Sequence, residues 1–148
     1  MQKGLSSQQK AYLAGFIDGD GSIYVQAKQN TSYRYGFQIA PYIVLFQSAK
    51  DRINFQNLCS LIGIGYMRER KDGILEYIIN RQEAILEILS AIGPHVILKR
   101  KQVSLMLQIL DKKEKVADKN DFIKLLSLVD QFRAINYSKK RKKRRLTP

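Results

Sequence analysis

Two aspartates separated by one glycine, Asp18 and Asp20, are the residues of this chain best placed to do chemistry. They end the segment Leu13–Gly21, whose spacing of apolar residues predicts a helix. Because the C-terminal end of a helix is the negative end of its dipole, carboxylates there favour a bound cation. Three small residues recur at every fourth position of the same helix: Ala11, Gly15 and Gly19. Another backbone can approach such a bare face closely, so the pattern predicts a metal site at a junction between two domains or two subunits.

Length and composition predict one folded domain with a basic surface. The chain has 148 residues, of which 45% are hydrophobic, and this is enough for a proper core. Removing the seven cations of Lys139–Arg145 from the net charge of +13 leaves +6, so the body is basic as well as the tail. This charge predicts a polyanionic partner, most simply nucleic acid. No apolar run is long enough for a membrane span and the N-terminus lacks a secretory signal, so we expect no membrane and an intracellular location. The single cysteine, Cys59, excludes internal disulfides and a cysteine-cluster zinc site.

The elements that must position the acids follow from the hydrophobic periodicity. It predicts a leading helix, capped by Ser6 or Ser7 and ending near Asp18, and then two strand–strand–helix units and two more helices. The predicted strands are Ser22–Lys28, a second strand from Phe37 to Leu45, and a hairpin of Tyr66–Arg70 and Ile74–Asn80. Pro41 predicts a bulge or an edge in the second strand. A charged loop, Lys112–Asp121, is predicted between the last two helices.

The segment Leu13–Gly21, LAGFIDGDG, resembles the signature of the LAGLIDADG homing endonucleases. The matching positions are Leu13, Ala14, Gly15, Ile17, Asp18, Asp20 and Gly21. The order of predicted elements is that of the family's αββαββα core, and residues 122–142 are similar to the C-terminal helix and arm of the single-motif branch that cuts within ribosomal RNA genes. The resemblance implies an α+β fold in which a four-stranded antiparallel sheet forms a DNA-binding saddle, followed by C-terminal helices. It implies one endonuclease domain over residues 1–137 and a basic arm over residues 138–148.

A chain with one motif is expected to be a homodimer whose motif helices pack through Ala11, Gly15 and Gly19. The resemblance implies that Asp20 is a metal ligand, assisted by the carbonyl of Gly19. The expected metal is Mg2+, with Mn2+ as an alternative and with Ca2+ binding without supporting cleavage. Metal ions held between carboxylates activate water and neutralise the phosphate in phosphodiester hydrolysis. Asp18 is expected to make hydrogen bonds at the helix end.

Three further residues are assigned to catalysis by the same resemblance. Gln47 and Lys99 match a glutamine and a lysine of the family in spacing. The sequence departs from the family pattern at Asp51, where relatives have a basic residue. Arg52 is the candidate substitute, and its alternative role is that of a solvated charge at a helix start.

The polar face of the predicted sheet is expected to bind DNA in the major groove, where arginine pairs with guanine and glutamine with adenine. The expected contacts from the first hairpin are Tyr24, Gln26, Lys28, Asn30, Ser32, Tyr33, Gln38, Ala40, Tyr42 and Val44. Those from the second hairpin are Tyr66, Arg68, Arg70, Glu76, Ile78 and Asn80. Four residues of the arm are expected to contact the DNA backbone: Ser138, Lys139, Lys140 and Lys142.

These features predict a metal-dependent, homodimeric homing endonuclease that hydrolyses both strands of a long pseudo-palindromic double-stranded DNA target. One alternative is an RNA-binding maturase of the same fold that acts on intron RNA. Another is a DNA-binding repressor that has lost catalysis, and the retention of Asp20, Gln47 and Lys99 counts against it.

Overall fold

The computed structural model describes residues 4–136, and the elements in this part of the chain have the predicted order. The helices are α1 (Ser7–Asp20), α2 (Arg52–Ser60), α3 (Gln82–Ile92), α4 (Arg100–Glu114) and α5 (Lys119–Ile135). The strands are β1 (Gly21–Gln29), β2 (Phe37–Ser48), β3 (Tyr66–Glu69) and β4 (Ile74–Ile79). The predicted arm and its four DNA-backbone contacts, Ser138, Lys139, Lys140 and Lys142, lie outside the described residues. Within residues 4–136, no helix is long and apolar enough to cross a membrane.

The four strands form one sheet in the order β1-β2-β4-β3, which confirms the α+β class. β4 pairs antiparallel with both β2 and β3. The predicted turn between β3 and β4 is confirmed, because Arg70 N donates to Ile74 O at 2.8 Å and Gly73 has a φ of +81°. The pairing of β2 with β4 begins at Ile43, so Pro41 lies in the part of β2 that precedes it. This position fits the missing N–H of a proline.

The chain divides into two compact units that share β1 and β2. The first contains the residues up to Ile23 together with Tyr42–Arg100, and the second contains Tyr24–Pro41 together with the residues from Lys101. The core of the first unit includes Leu13, Ile17, Ile43, Leu45, Leu75, Ile85 and Leu89. The core of the second includes Val25, Ile39, Met106, Ile109, Leu125 and Val129. In both units these are the residues that the helical and alternating patterns place on the apolar faces.

Local hydrogen bonds explain where the helices begin and end. Ser6 is the cap of α1: its Oγ accepts from Gln9 N at 3.1 Å, and Gln9 Oε1 accepts from Ser6 N at 2.9 Å. α1 continues to Asp20 rather than ending near Asp18, because β1 follows without a connecting loop. The loop between α4 and α5 is shorter than the predicted Lys112–Asp121, since α4 runs to Glu114 and α5 begins at Lys119. Asp118 caps α5, and its Oδ1 accepts from Asp121 N at 2.8 Å.

Candidate active site at the end of the first helix

The outer face of α1 is bare and exposed, and Asp20 lies at its end. Ala11, Gly15, Gly19 and Asp20 are all exposed, whereas Leu13 and Ile17 on the opposite face are 1% and 0% exposed. A Cβ atom added at Gly15 or at Gly19 would meet nothing within 4 Å. The intrachain packing therefore does not require glycine at these two positions. The face is open to a second backbone.

Asp18 connects the end of α1 to the segment that precedes α4. Its Oδ2 accepts from Ile97 N at 2.8 Å and from Leu98 N at 3.1 Å, and its Oδ1 accepts from Lys99 N at 3.1 Å. Lys99 Nζ in turn donates to the carbonyl oxygen of Asp18 at 2.7 Å. The carboxylate thus satisfies N–H groups at the start of α4. The ammonium group is held at the negative end of α1, on the carbonyl of the residue two positions before Asp20.

The charge of Asp18 is favoured by these contacts. Burial raises the pKa of Asp18, but the backbone N–H groups of Ile97, Leu98 and Lys99 and the positive charge of Lys99 outweigh it and hold the pKa below its ordinary value. Asp18 is therefore an ionised structural acceptor, as expected for a helix-end acid. Asp20 is the acid at this helix end that remains exposed.

The other two residues assigned to catalysis have local partners in the structure. Gln47 lies near the end of β2, and its Oε1 accepts from Ser48 N at 2.9 Å. Arg52 forms an ion pair with Glu69 on β3, and the two side chains are 41% and 47% exposed. Sequence reasoning missed Glu69, which faces the start of α2. The catalytic role of Arg52 stays a prediction, and the structure gives its guanidinium group a structural partner.

The predicted DNA-contacting residues separate into an accessible set and a buried set. The exposed ones are Lys28, Asn30, Ser32, Tyr33, Tyr66, Arg68, Arg70 and Asn80, and the half-buried ones are Tyr24, Gln26, Gln38 and Tyr42. Tyr66 and Asn80 line a pocket of about 330 Å³ together with Arg81. Four residues are buried: Ala40, Val44, Glu76 and Ile78. The DNA-binding role of both sets stays a prediction, and the buried four have little side-chain surface to offer.

Cross-strand packing explains this burial. Val44 and Tyr66 both stand opposite Ile78 in the register of β2, β4 and β3, so Ile78 is covered from two sides. In the same way Phe46 and Arg68 flank Glu76. Ala40 is 7% exposed.

Ion pairs hold two of the predicted DNA-binding arginines. Arg68 Nη2 donates to Glu76 Oε1 at 2.7 Å, and Arg70 Nη2 donates to Asp72 Oδ2 at 2.6 Å. Glu76 is thus the buried ion-pair partner of Arg68. The register around the turn could have predicted this pair, since it places residues 68 and 76 opposite each other.

The donor chemistry at the end of α1 fits a divalent cation. The Asp20 carboxylate and the Gly19 carbonyl are hard oxygen donors of the kind that Mg2+ and Ca2+ prefer. Within residues 4–136, no group of three or more acidic, histidine or cysteine side chains gathers to hold a metal by itself. Since Asp18 is occupied by N–H groups, one copy offers a single exposed carboxylate at this helix end.

An α+β fold, a basic chain and an exposed carboxylate at a helix end together define a candidate nucleic-acid hydrolase. A family model described as LAGLIDADG endonuclease matches residues 13–104. The chain therefore belongs to the LAGLIDADG endonuclease family, and by class it is a DNA endonuclease.

Individual relatives agree with this assignment. The chain is 36% identical over 132 residues to DNA endonuclease I-CreI of Chlamydomonas reinhardtii, covering 88% of this chain and 80% of that protein. It is 30% identical over 131 residues to DNA endonuclease I-CvuI of Chlorella vulgaris, covering 88% and 81%. A crystal structure of I-CvuI with the I-CreI target, in which Mg is present and the DNA is not cleaved, matches with a TM-score of 0.84 and 29% identity. It covers 91% of this chain and 86% of that one. Another I-CvuI structure contains its own target in the presence of Ca.

Proposed function

We propose that two copies of this chain form a site-specific homing endonuclease, which uses a divalent metal to cut both strands of a long pseudo-palindromic DNA target inside the cell. The observation that carries the proposal is the exposed Asp20 at the end of a helix whose outer face is open. When two such helices pack together, each brings one carboxylate to the junction. The similarity to the ribosomal-RNA-gene branch suggests a target within such a gene.

The surface around α1 supports a homodimer. Tyr12 on the outer face of α1 is 63% exposed, and Ile97 and Leu98, next to the Asp18 carboxylate, are 69% and 74% exposed. Large apolar side chains left in solvent on one unit mark an interaction surface. The proposed partner is a second copy of the chain, whose own Gly15 and Gly19 would let the two α1 helices approach closely.

Asp20 and the Gly19 carbonyl of each copy would hold the metal, with Mg2+ as the proposed ion. The bound ion supplies an activated water and neutralises charge on the phosphate. Lys99 holds a positive charge at this helix end through its bond to Asp18, so it is suited to stabilise the anionic transition state. Gln47 is proposed to orient solvent.

The strand face supplies the DNA contacts in this proposal. Arg68 and Arg70 are exposed and alternate along β3 and its end, so their guanidinium groups lie on one face of the hairpin. The bond from Arg70 to Asp72 uses one of the five N–H donors of its guanidinium group, and arginine is the residue type that pairs with a guanine edge. Gln26 and Gln38 on the first hairpin suit adenine.

The test is a digest of a plasmid that carries the uninterrupted insertion site, in the presence of Mg2+, with Asp20→Asn as the matched variant. We expect the wild-type chain to linearise the plasmid. The variant should bind the same site without cutting, because the amide keeps the shape of the side chain but lacks the charge. Near-normal cutting by Asp20→Asn would refute the site. Binding without cutting by the wild-type chain would instead favour the repressor or maturase alternatives.

A further inference from the structure

The loop between β1 and β2, residues 30–36, has a closed internal structure. Asn30 N donates to Gly36 O at 2.8 Å, and Gly36 N donates to Tyr33 O at 2.9 Å. Asn30 Oδ1 accepts from Ser32 N at 3.0 Å and from Ser32 Oγ at 2.7 Å. The side-chain oxygen of Asn30 therefore holds the loop together, while Ser32 and Tyr33 remain exposed at its tip.

Two residues of this loop attach it to the second unit's helices. The ring of Tyr35 stacks on the ring of Phe122, with centroids 5.0 Å apart and an angle of 25° between the planes. The Arg34 guanidinium lies 5.1 Å from the centre of the Tyr35 ring, and its Nη1 donates to Ala117 O at 3.5 Å. We call this set of contacts the Arg34–Tyr35 anchor. It joins positions 83 residues apart in the chain.

The residues that the anchor contacts, Ala117 and Phe122, are held in place at the start of α5. Phe122 is 6% exposed in the first turn of α5. Ala117 N donates to Asp121 Oδ2 at 3.0 Å, and Asp121 N donates to the capping Asp118. The Ala117 carbonyl is thus fixed by the cap of α5, and the loop is attached to a well-defined helix start.

The anchor depends on the aromatic ring of Tyr35 and not on its hydroxyl group. The Tyr35 hydroxyl is buried and has no hydrogen-bond partner among residues 4–136. A ring contributes through stacking and burial, which phenylalanine reproduces. This difference provides a matched pair of variants, in which Tyr35→Phe keeps the stack and Tyr35→Ala removes it.

We propose that Arg34 and Tyr35 are positioning residues for sequence recognition, and that their anchor holds Ser32 and Tyr33 in one place against the DNA. This rests on the proposed function, in which the first hairpin contacts the target. A loop that is ordered before binding avoids the entropy cost of being ordered on the DNA. A loop released from α5 samples several positions, so its contacts no longer favour one base over another.

The experiment uses the full chain and a duplex DNA library randomised over several helical turns, with selection for binding in Ca2+ and sequencing of the bound fraction. Discrimination at a contacted base pair is roughly 5- to 150-fold. We expect Tyr35→Ala to reduce it several-fold at one confined block in each half of the enriched motif and to leave the remaining positions unchanged. Tyr35→Phe should enrich the wild-type motif. Arg34→Ala should weaken the same block, and Arg34→Lys should only partly restore it, because lysine lacks the planar fork.

Hydrogen exchange of the same variants provides a readout that is independent of DNA. The amides of Tyr33 and Gly36, which donate within the loop, should exchange faster in Tyr35→Ala and at the wild-type rate in Tyr35→Phe. If Tyr35→Ala does not fold, Arg34→Ala decides the question, since Arg34 is exposed.

The outcomes separate this inference from the proposed function. An unchanged motif for Tyr35→Ala or Arg34→Ala overturns the inference and leaves the endonuclease proposal intact. The same holds for an equal loss at all positions, or for Tyr35→Phe behaving like Tyr35→Ala. A wild-type chain that enriches no motif overturns both.

Discussion

Replacing Asp18 by asparagine tests whether the end of α1 and the start of α4 are held together by one charged group. The carboxylate accepts three backbone N–H groups, from Ile97, Leu98 and Lys99. An asparagine keeps one oxygen, so it retains at most two of these bonds, makes them neutral, and presents an amide donor to the third N–H group. Hydrogen bonds to charged groups contribute about 1.5–3 kcal/mol each, and neutral ones about 1 kcal/mol. With the partial exposure of this contact, we expect a loss of about 2 kcal/mol in the free energy of unfolding.

The assay is urea and thermal unfolding of both proteins at one protein concentration, since a dimer's stability depends on concentration. A loss of about 2 kcal/mol corresponds to a decrease of about 4–8 °C in Tm. The matched control is Asp111→Asn, which removes a surface ion pair with Lys115 whose two side chains are 62% and 72% exposed. That change should cost about 0–0.5 kcal/mol.

The stability that Asp18 contributes should depend on pH in one direction only. Because the folded-state pKa of Asp18 is lowered below 3.8, its contribution to stability is fully present above that pH and is lost as the pH falls through the folded-state value. The stability difference between wild type and Asp18→Asn should therefore be constant near neutral pH and shrink below about pH 4. A difference no larger than that of the Asp111→Asn control, or one that persists unchanged at low pH, would show that the Asp18 carboxylate does not hold the two helix ends together.

Three further predictions concern the interface, the cysteine and the DNA contacts. Gly19→Leu should reduce both dimer formation and cleavage, because a large side chain separates the packed helices; a wild-type chain that sediments as a monomer on its target contradicts the dimer. Burial raises the pKa of the Cys59 thiol to about 12, so Cys59 should resist a thiol reagent at pH 8 until urea unfolds the chain; equal rates in the two states would refute this. Arg70→Ala should relax base preference at one position in each half-site by about 1–3 kcal/mol. Truncation after Ser138 should instead weaken binding to all sequences and flatten the salt dependence of binding. A specificity profile and a salt titration of both variants check this, and the reverse pattern would place recognition in the arm.

Part of the site was predictable because its signals are local. The spacing of Gly15, Gly19 and Asp20 is a property of one helix. Ser6 and Gln9, which cap that helix, are only three positions apart in the chain. The hairpin turn at residues 71–73 likewise depends on neighbouring residues only. Such patterns determine which element forms and which face of it is apolar.

Periodicity predicted the strand faces but not how deeply each residue on a face is buried. Alternation places Val44 and Ile78 on the same face as Tyr66 and Arg68, and the register agrees, since Ile78 stands opposite both Val44 and Tyr66. Their burial follows from the strand order, which makes them direct neighbours across β2 and β4. A strand with a neighbour on each side is covered along both edges, and the sequence of one strand does not reveal its neighbours.

The sequence by itself determined the family signature, the order of the elements, the basic charge and the position of Asp20 at a helix end. Only the tertiary structure decided the partners of the charged groups. Asp18 meets a lysine 81 residues away, Arg34 meets a carbonyl 83 residues away, and Arg52 meets Glu69. The physical reason is that a hydrogen bond needs its two heavy atoms within about 3.5 Å of each other. For groups this far apart in the chain, that distance is set by how whole helices and strands pack, and not by any local pattern of residues.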